Sequence, residues 1–253
     1  MLNRLIFGNE TTGPSLLIVH GLFGSGRNWG AIARRMAVDR RVVAVDMRNH
    51  GDSFWSDSHQ YADLAADLAE VIAAEGRPMD VLGHSMGGKA AMLLALTRPD
   101  LVNRLVVADI APVAYAHSNL HLVRAMQGLQ TVDLSSRQVA DIRLQPMVQD
   151  AGTRAFLLQS LDLKANPPRW RLNLAVLADQ MPAIVGWPAV SGSYEGPAFF
   201  LAGALSDYVR PEHRVAIKAL FPKAIMAKLP GAGHWLHAER PREFEAALRA
   251  FLS

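Results

Sequence analysis

The chain has 253 residues, half of them apolar and 19% charged, with a net charge of +3. That length and composition suit one large globular domain, or a compact domain carrying an insertion, with room for a sizeable core. Lys and Arg are scattered without a basic run, which argues against nucleic acid as a partner. The chain has no cysteine, which removes disulfides, thiolate catalysis and Cys-ligated zinc and suits a reducing cytoplasm, the expected location. The first residues, MLNRLIFGNE, hold no long apolar stretch, so no signal peptide is expected. No membrane span is expected either, because that needs about 20 apolar residues in a row. The sequence leaves the oligomeric state open.

In chain order, residues 16–20 (LLIVH), 41–46 (RVVAVD), 79–82 (MDVL) and 105–109 (LVVAD) are short apolar runs ending in turn residues. This is the pattern of strands buried on both faces. Helical spacing fills the gaps at 29–37, 61–74 and 86–97, the last ending before Pro99. The alternation predicts an α/β fold with a mostly parallel central sheet and helices on both faces. After Pro112 the rhythm stops, and no buried strand is legible as far as Gly196. Amphipathic helices are expected at 117–129, 136–147, 153–161 and 170–184, with breaks near Asp133, Asp150, Asn166 and Gly186. Strands at 198–202 and 224–229 and helices at 211–220 and 241–252 then restore the α/β rhythm. The expected organisation is a core over 1–111 and 197–253, interrupted by a helical cap insertion over 112–196.

The run 79–82 leads into Gly83-His84-Ser85-Met86-Gly87-Gly88, and a helix follows. Gly-x-Ser-x-Gly between a strand and a helix forms a turn so tight that its Ser is pushed out at the strand's carboxyl end. Residues two positions either side must be small, and Gly83 and Gly87 are. Ser85 is therefore the candidate nucleophile. The Met86 N–H, at the start of the helix, points to where an oxyanion would form. A second donor is expected from the loop His20-Gly21-Leu22-Phe23-Gly24, from Leu22 or alternatively Phe23. Neither Gly-x-Gly-x-x-Gly nor Gly-Lys-Ser/Thr occurs, so a phosphate loop is not indicated.

Of nine histidines, His234 is the candidate general base. It lies in Gly231-Ala232-Gly233-His234-Trp235, between the last strand and the last helix, and the small residues before it allow close approach to Ser85. A metal site built on His234, His237 and Glu239 is the competing reading, but no further ligand cluster supports it. No metal or cofactor is expected. His20 and His50 read as loop braces and His84 as packing behind the elbow. His59, His117, His121 and His213 read as surface or cap residues.

Taken together, HGLFGS, DMRNHGDS, GHSMGGK, DIAP and GHWLHAE resemble α/β-hydrolases, more narrowly the YbfF-type esterases. The likeness spans essentially the whole chain, including WRLNL at 170–174 in the insertion. It implies the α/β-hydrolase fold, a helical cap over the site, and metal-free hydrolysis of carboxylic esters, with acyl-CoA thioesters as a further substrate class.

Two aspartates compete to orient His234. Most α/β-hydrolases carry the acid in the loop after the strand at 198–202, but Ser206 fills the usual slot there and Asp207 falls one residue late. Asp109 ends the strand at 105–109, and its placement resembles the YbfF-type arrangement. Asp109 is favoured and Asp207 is the alternative. The expected partner is a small-molecule acyl ester or thioester of short to medium chain, with Trp235 as a pocket wall. C–C bond hydrolysis or perhydrolysis by the same triad, or slow turnover in a ligand-binding receptor, are the alternatives.

Overall fold

The computed structural model describes residues 1–130 and 134–253. Its strands are β1 (Arg4–Phe7), β2 (Leu16–Val19), β3 (Val42–Val45), β4 (Met79–His84), β5 (Val102–Ala108), β6 (Leu161–Asp162), β7 (Arg169–Trp170), β8 (Ala198–Gly203) and β9 (Ala224–Leu229). Seven of them form one sheet in the order β1-β3-β2-β4-β5-β8-β9, parallel except for the β1–β3 pair. Strands β2, β3 and β4 are buried along their whole length, as continuous apolar runs require.

Alternate residues of these strands feed two cores. Leu16, Ile18, Val42 and Ala44 face α1 (Gly30–Met36) and the terminal helix, packing with Trp29, Ile32, Met36, Phe244 and Leu248. Leu17, Val19, Val43 and Val45 face α2 (Tyr61–Glu75) and α3 (Met86–Thr97). Every residue of α3 from Met86 to Ala95 is buried. A helix apolar on nearly every side belongs in the interior, and this one, with Lys89 its one charged residue, carries the elbow at its head.

The segment between β5 and β8, where the insertion was expected, supplies α4 (Leu120–Gln130), α5 (Arg137–Leu144), α6 (Ala151–Leu158), α7 (Leu174–Asp179) and α8 (Met181–Val185). Caps explain most boundaries. Ser136 accepts from the Val139 N–H at 3.2 Å and Asp150 from the Thr153 N–H at 3.1 Å, so α5 and α6 start directly after them. The break expected near Asp133 lies outside the described residues. The chain closes with α9 (His213–Leu220), α10 (Leu236–Glu239) and α11 (Pro241–Leu252).

Three sequence expectations need correction. β1 was not anticipated: it is a half-buried edge strand of four residues, too short to show a period. The insertion does contain strands, since β6 and β7 pair antiparallel through Leu161 and Trp170. The single helix expected over 170–184 is the ribbon strand β7 followed by two helices. Asn173 caps α7, and Pro182 in the first turn of α8 starts a new helix. No helix among the described residues is long and apolar enough to cross a membrane.

Candidate active site

Ser85 links β4 to α3 with φ +52° and ψ −120°, a conformation that a side chain rarely tolerates. Its N–H donates to the Ala108 carbonyl of the neighbouring strand at 3.0 Å, and its carbonyl accepts the first helical bond, from Lys89, at 3.0 Å. The flanking glycines are obligatory. A β-carbon at Gly83 would lie 2.3 Å from the Gly87 carbonyl oxygen, and one at Gly87 would lie 2.4 Å from the His20 carbonyl oxygen.

His234 reaches Ser85 from the loop after β9. Its Nε2 lies 3.1 Å from Ser85 Oγ, and its Nδ1–H donates to Asp109 Oδ2 at 2.7 Å. Asp109 sits one residue beyond β5, buried, with φ +51°. Its Oδ1 accepts the Gly203 N–H at 2.8 Å, and Oδ2 also accepts the Ser206 hydroxyl. The structure thus brings Asp109 to His234. Asp207 is exposed, and its backbone carbonyl accepts from Arg210. The Ser206 contact was missed, although Ser206 stood in the slot where the acid is usual.

Leu22, Ser85 and Met86 border one small recess. Among the described residues the Leu22 and Met86 N–H groups have no hydrogen-bond acceptor. The Phe23 N–H is already committed, donating to His50 Nε2 at 3.2 Å, whereas the Leu22 N–H is not.

Buried histidines frame the site. His20 Nδ1–H donates to the Gly21 carbonyl at 2.8 Å and Nε2 accepts the Met47 N–H at 2.9 Å, bracing the loop after β2 against the loop after β3. Burial holds His20, His50 and His84 below the usual histidine range. The neutral His84 ring donates Nε2–H to the His234 carbonyl at 2.8 Å, so it positions the loop of the candidate base as well as packing behind the elbow. His59 is not a surface residue. It is buried between Asn49 and Met86, and loss of solvation pushes it down to about 3. His237 stacks on Trp29 at 3.9 Å, while Glu239 accepts the Gly233 and Trp235 N–H groups.

Two further residues border the site: Tyr208, which carried no sequence signal, and Lys89, which closes the GHSMGGK motif but whose contacts the sequence did not indicate. The Tyr208 ring stacks on the His234 imidazole at 3.9 Å and 18°. Lys89, one turn after Ser85, is buried and donates to the Val185 and Gly186 carbonyls at the end of α8. A cavity of about 510 Å³ opens over Ser85, walled by Leu22 and Trp235 from the core and by Leu122, Met147, Phe156 and Leu157 from the insertion. Trp235 and Phe156 lie 5.4 Å apart. Trp170 instead packs inside the insertion, donating its indole N–H to the Met126 carbonyl at 2.8 Å.

A strand-borne elbow serine, a histidine after the last strand and a buried acid at a strand end are the parts of one fold family. The model of the α/β-hydrolase fold matches residues 14–241, and the chain belongs to that family. It is 40% identical to the sn-1-specific diacylglycerol lipase ABHD11 of Mus musculus, over 100% of this chain and 85% of that one. It is 38% identical to esterase YbfF of Escherichia coli (strain K12), over 97% of this chain and 95% of the relative. Among solved structures, a marine microorganism esterase superposes with a TM-score of 0.94 at 34% identity, covering 99% of this chain and 98% of that chain.

Proposed function

We propose that this enzyme, a carboxylic ester hydrolase of the α/β-hydrolase family, works through a Ser85–His234–Asp109 triad and an acyl-enzyme. The observation that carries the reading is the unbroken path from Ser85 Oγ through both His234 nitrogens, at 3.1 and 2.7 Å, to a buried carboxylate.

Ser85 attacks the acyl carbonyl while His234 Nε2 takes its proton. Asp109 stabilises the imidazolium that forms, and the Tyr208 face stacked on the ring adds a favourable cation–π contact. The Leu22 and Met86 N–H groups, the latter at the positive end of α3, hold the oxyanion. His234 returns the proton to the leaving group and then activates water to release the acid. The cavity, apolar between Phe156, Leu157 and Trp235, suits short to medium acyl chains, and thioesters belong to the same chemistry. Relatives named as an esterase and a diacylglycerol lipase support ester substrates. A cytoplasmic location, proposed on the cysteine-free composition, is open to a fractionation test.

Ser85→Ala is the test. It should abolish turnover of p-nitrophenyl butyrate and labelling by a fluorophosphonate, and unchanged turnover would overturn the mechanism. A panel of acyl esters and acyl-CoA thioesters then separates the substrate classes.

A further inference from the structure

Phe23 is held from both sides. It is the third residue of the tight turn 21–24, which the Gly24 N–H closes on the Gly21 carbonyl at 3.0 Å, and its φ is +65°. A residue with a β-carbon disfavours that region, so contacts outside the turn must keep it there. The Phe23 N–H donates to His50 Nε2 at 3.2 Å, and its carbonyl accepts the Ser160 hydroxyl at 2.8 Å. All three residues are buried. His50 is set as an acceptor, because its Nδ1–H donates to the Arg48 carbonyl at 2.9 Å and leaves Nε2 unprotonated.

The two clamps come from different parts of the chain. His50 lies in the core loop after β3, whereas Ser160 lies in the insertion between α6 and β6. Those parts are joined in turn. The Arg171 N–H donates to the Ser160 carbonyl at 2.8 Å, the Gly51 N–H to the Arg171 carbonyl at 2.8 Å, and the Asn173 N–H to the Asn49 carbonyl at 3.0 Å. The links close a ring from Phe23 through Ser160, Arg171, Gly51 and His50 back to Phe23.

We infer that this ring makes correct seating of the insertion a condition for acyl transfer, with His50 and Ser160 as positioning residues that hold Phe23 and, through it, the Leu22 N–H toward Ser85. The inference rests on Leu22 as an oxyanion donor, as proposed above. The Leu22–Phe23 peptide carries the Leu22 carbonyl and the Phe23 N–H, and the turn closed by Gly24 on Gly21 fixes both residues, so letting Phe23 relax to negative φ opens that turn and shifts the Leu22 N–H on the preceding peptide. Displacing the insertion withdraws the Ser160 bond and permits that relaxation. Catalytic geometry tolerates little of it, since a misplacement of about 1 Å can reduce rate about 100-fold. The insertion thereby controls kcat without placing any group on the substrate's reacting carbon.

The test uses the full chain, p-nitrophenyl butyrate, and an aryl trifluoromethyl ketone that forms a tetrahedral adduct bearing the oxyanion. Ser160→Ala and His50→Ala should lower kcat about tenfold to 100-fold with KM changed less than about twofold, and should weaken ketone binding by the same factor. Ser160→Thr keeps the hydroxyl, and His50→Gln supplies an acceptor oxygen, so each should recover most of the loss. Wild-type kcat and ketone affinity in Ser160→Ala, or a loss confined to KM, would overturn the clamp. If His50→Ala does not fold, the Ser160 pair decides alone. Failure of the underlying reading looks different: the wild-type enzyme would bind the trifluoromethyl ketone no better than its non-fluorinated analogue, which overturns both.

Discussion

Ser206 donates its hydroxyl to Asp109, at the same carboxylate oxygen that receives the His234 Nδ1–H. The carboxylate proposed as the triad acid is thus bonded by the residue occupying the position where most of the family carries an acid of its own. Asp109→Asn would force the wrong tautomer on His234 and should lower kcat by up to about 10⁴-fold. Asp207→Asn should stay near wild type. Ser206→Ala removes one charge-assisted bond, about 1.5 kcal/mol, and should reduce kcat about tenfold. Steady-state kinetics on the three variants ranks them, and a dead Asp207→Asn beside an active Asp109→Asn would reverse the assignment.

The elbow predicts its own intolerance. With under 2.5 Å available to a β-carbon at either Gly83 or Gly87, Gly83→Ala and Gly87→Ala cannot keep both the backbone and the nucleophile in place. Each is expected to yield insoluble protein, or folded protein without fluorophosphonate labelling. Soluble, fully labelled Gly83→Ala would show that the turn yields more than its contacts imply.

The buried histidines predict acid sensitivity. His59 is held at about 3, and His20, His50 and His84 are also lowered from 6.5. Below pH 6.5 the unfolded chain protonates these rings while the folded chain does not. Their contribution to stability is therefore complete above about 6.5 and falls with pH beneath it, by about 1.4 kcal/mol per ring for each unit. Urea unfolding at about pH 7.5 and 5.5 reads the difference, and His59→Leu should flatten the slope. A flat profile in the wild type would contradict it.

Lys89 predicts a second window of the same sign. Burial pushes its amine down to about 7 from 10.5, so between those values the unfolded chain binds the extra proton. Stability should rise with pH from about 7, by at most about 1.4 kcal/mol per unit. In Lys89→Met that rise should vanish, and the Val185 and Gly186 carbonyls lose their donor, a loss of about 1–3 kcal/mol. Denaturation between about pH 7 and 9 distinguishes the two chains.

Much of the core was legible because buried parallel strands leave continuous apolar runs, and the elbow because its glycines are sterically required. The helix expected over 86–97 coincides with α3, which starts at the elbow and stops at a proline. What escaped were features without a period. The two-residue strands β6 and β7 are too short to alternate, and β1 is a half-buried edge. His59 looked like a surface residue because Ser, Asp and Gln surround it, yet the loop folds it under Met86. Tyr208 and Lys89 meet partners 26 and 96 residues away or more, contacts that sequence spacing does not encode.

The four non-glycine residues with positive φ among the described residues are Phe23, Asn49, Ser85 and Asp109. Ser85 and Asp109 occupy the ends of adjacent strands in register, His84 beside Ala108. The proposed nucleophile and acid therefore ride on one rigid ladder, and their separation is inherited from interstrand spacing rather than from any loop. The segment after β8 is released from delivering a carboxylate. Provided Ser206 and Tyr208 are kept, it becomes the place where length and chemistry are free to diverge, so a designer seeking new substrates should randomise Leu205, Asp207 and Val209 before touching the strands.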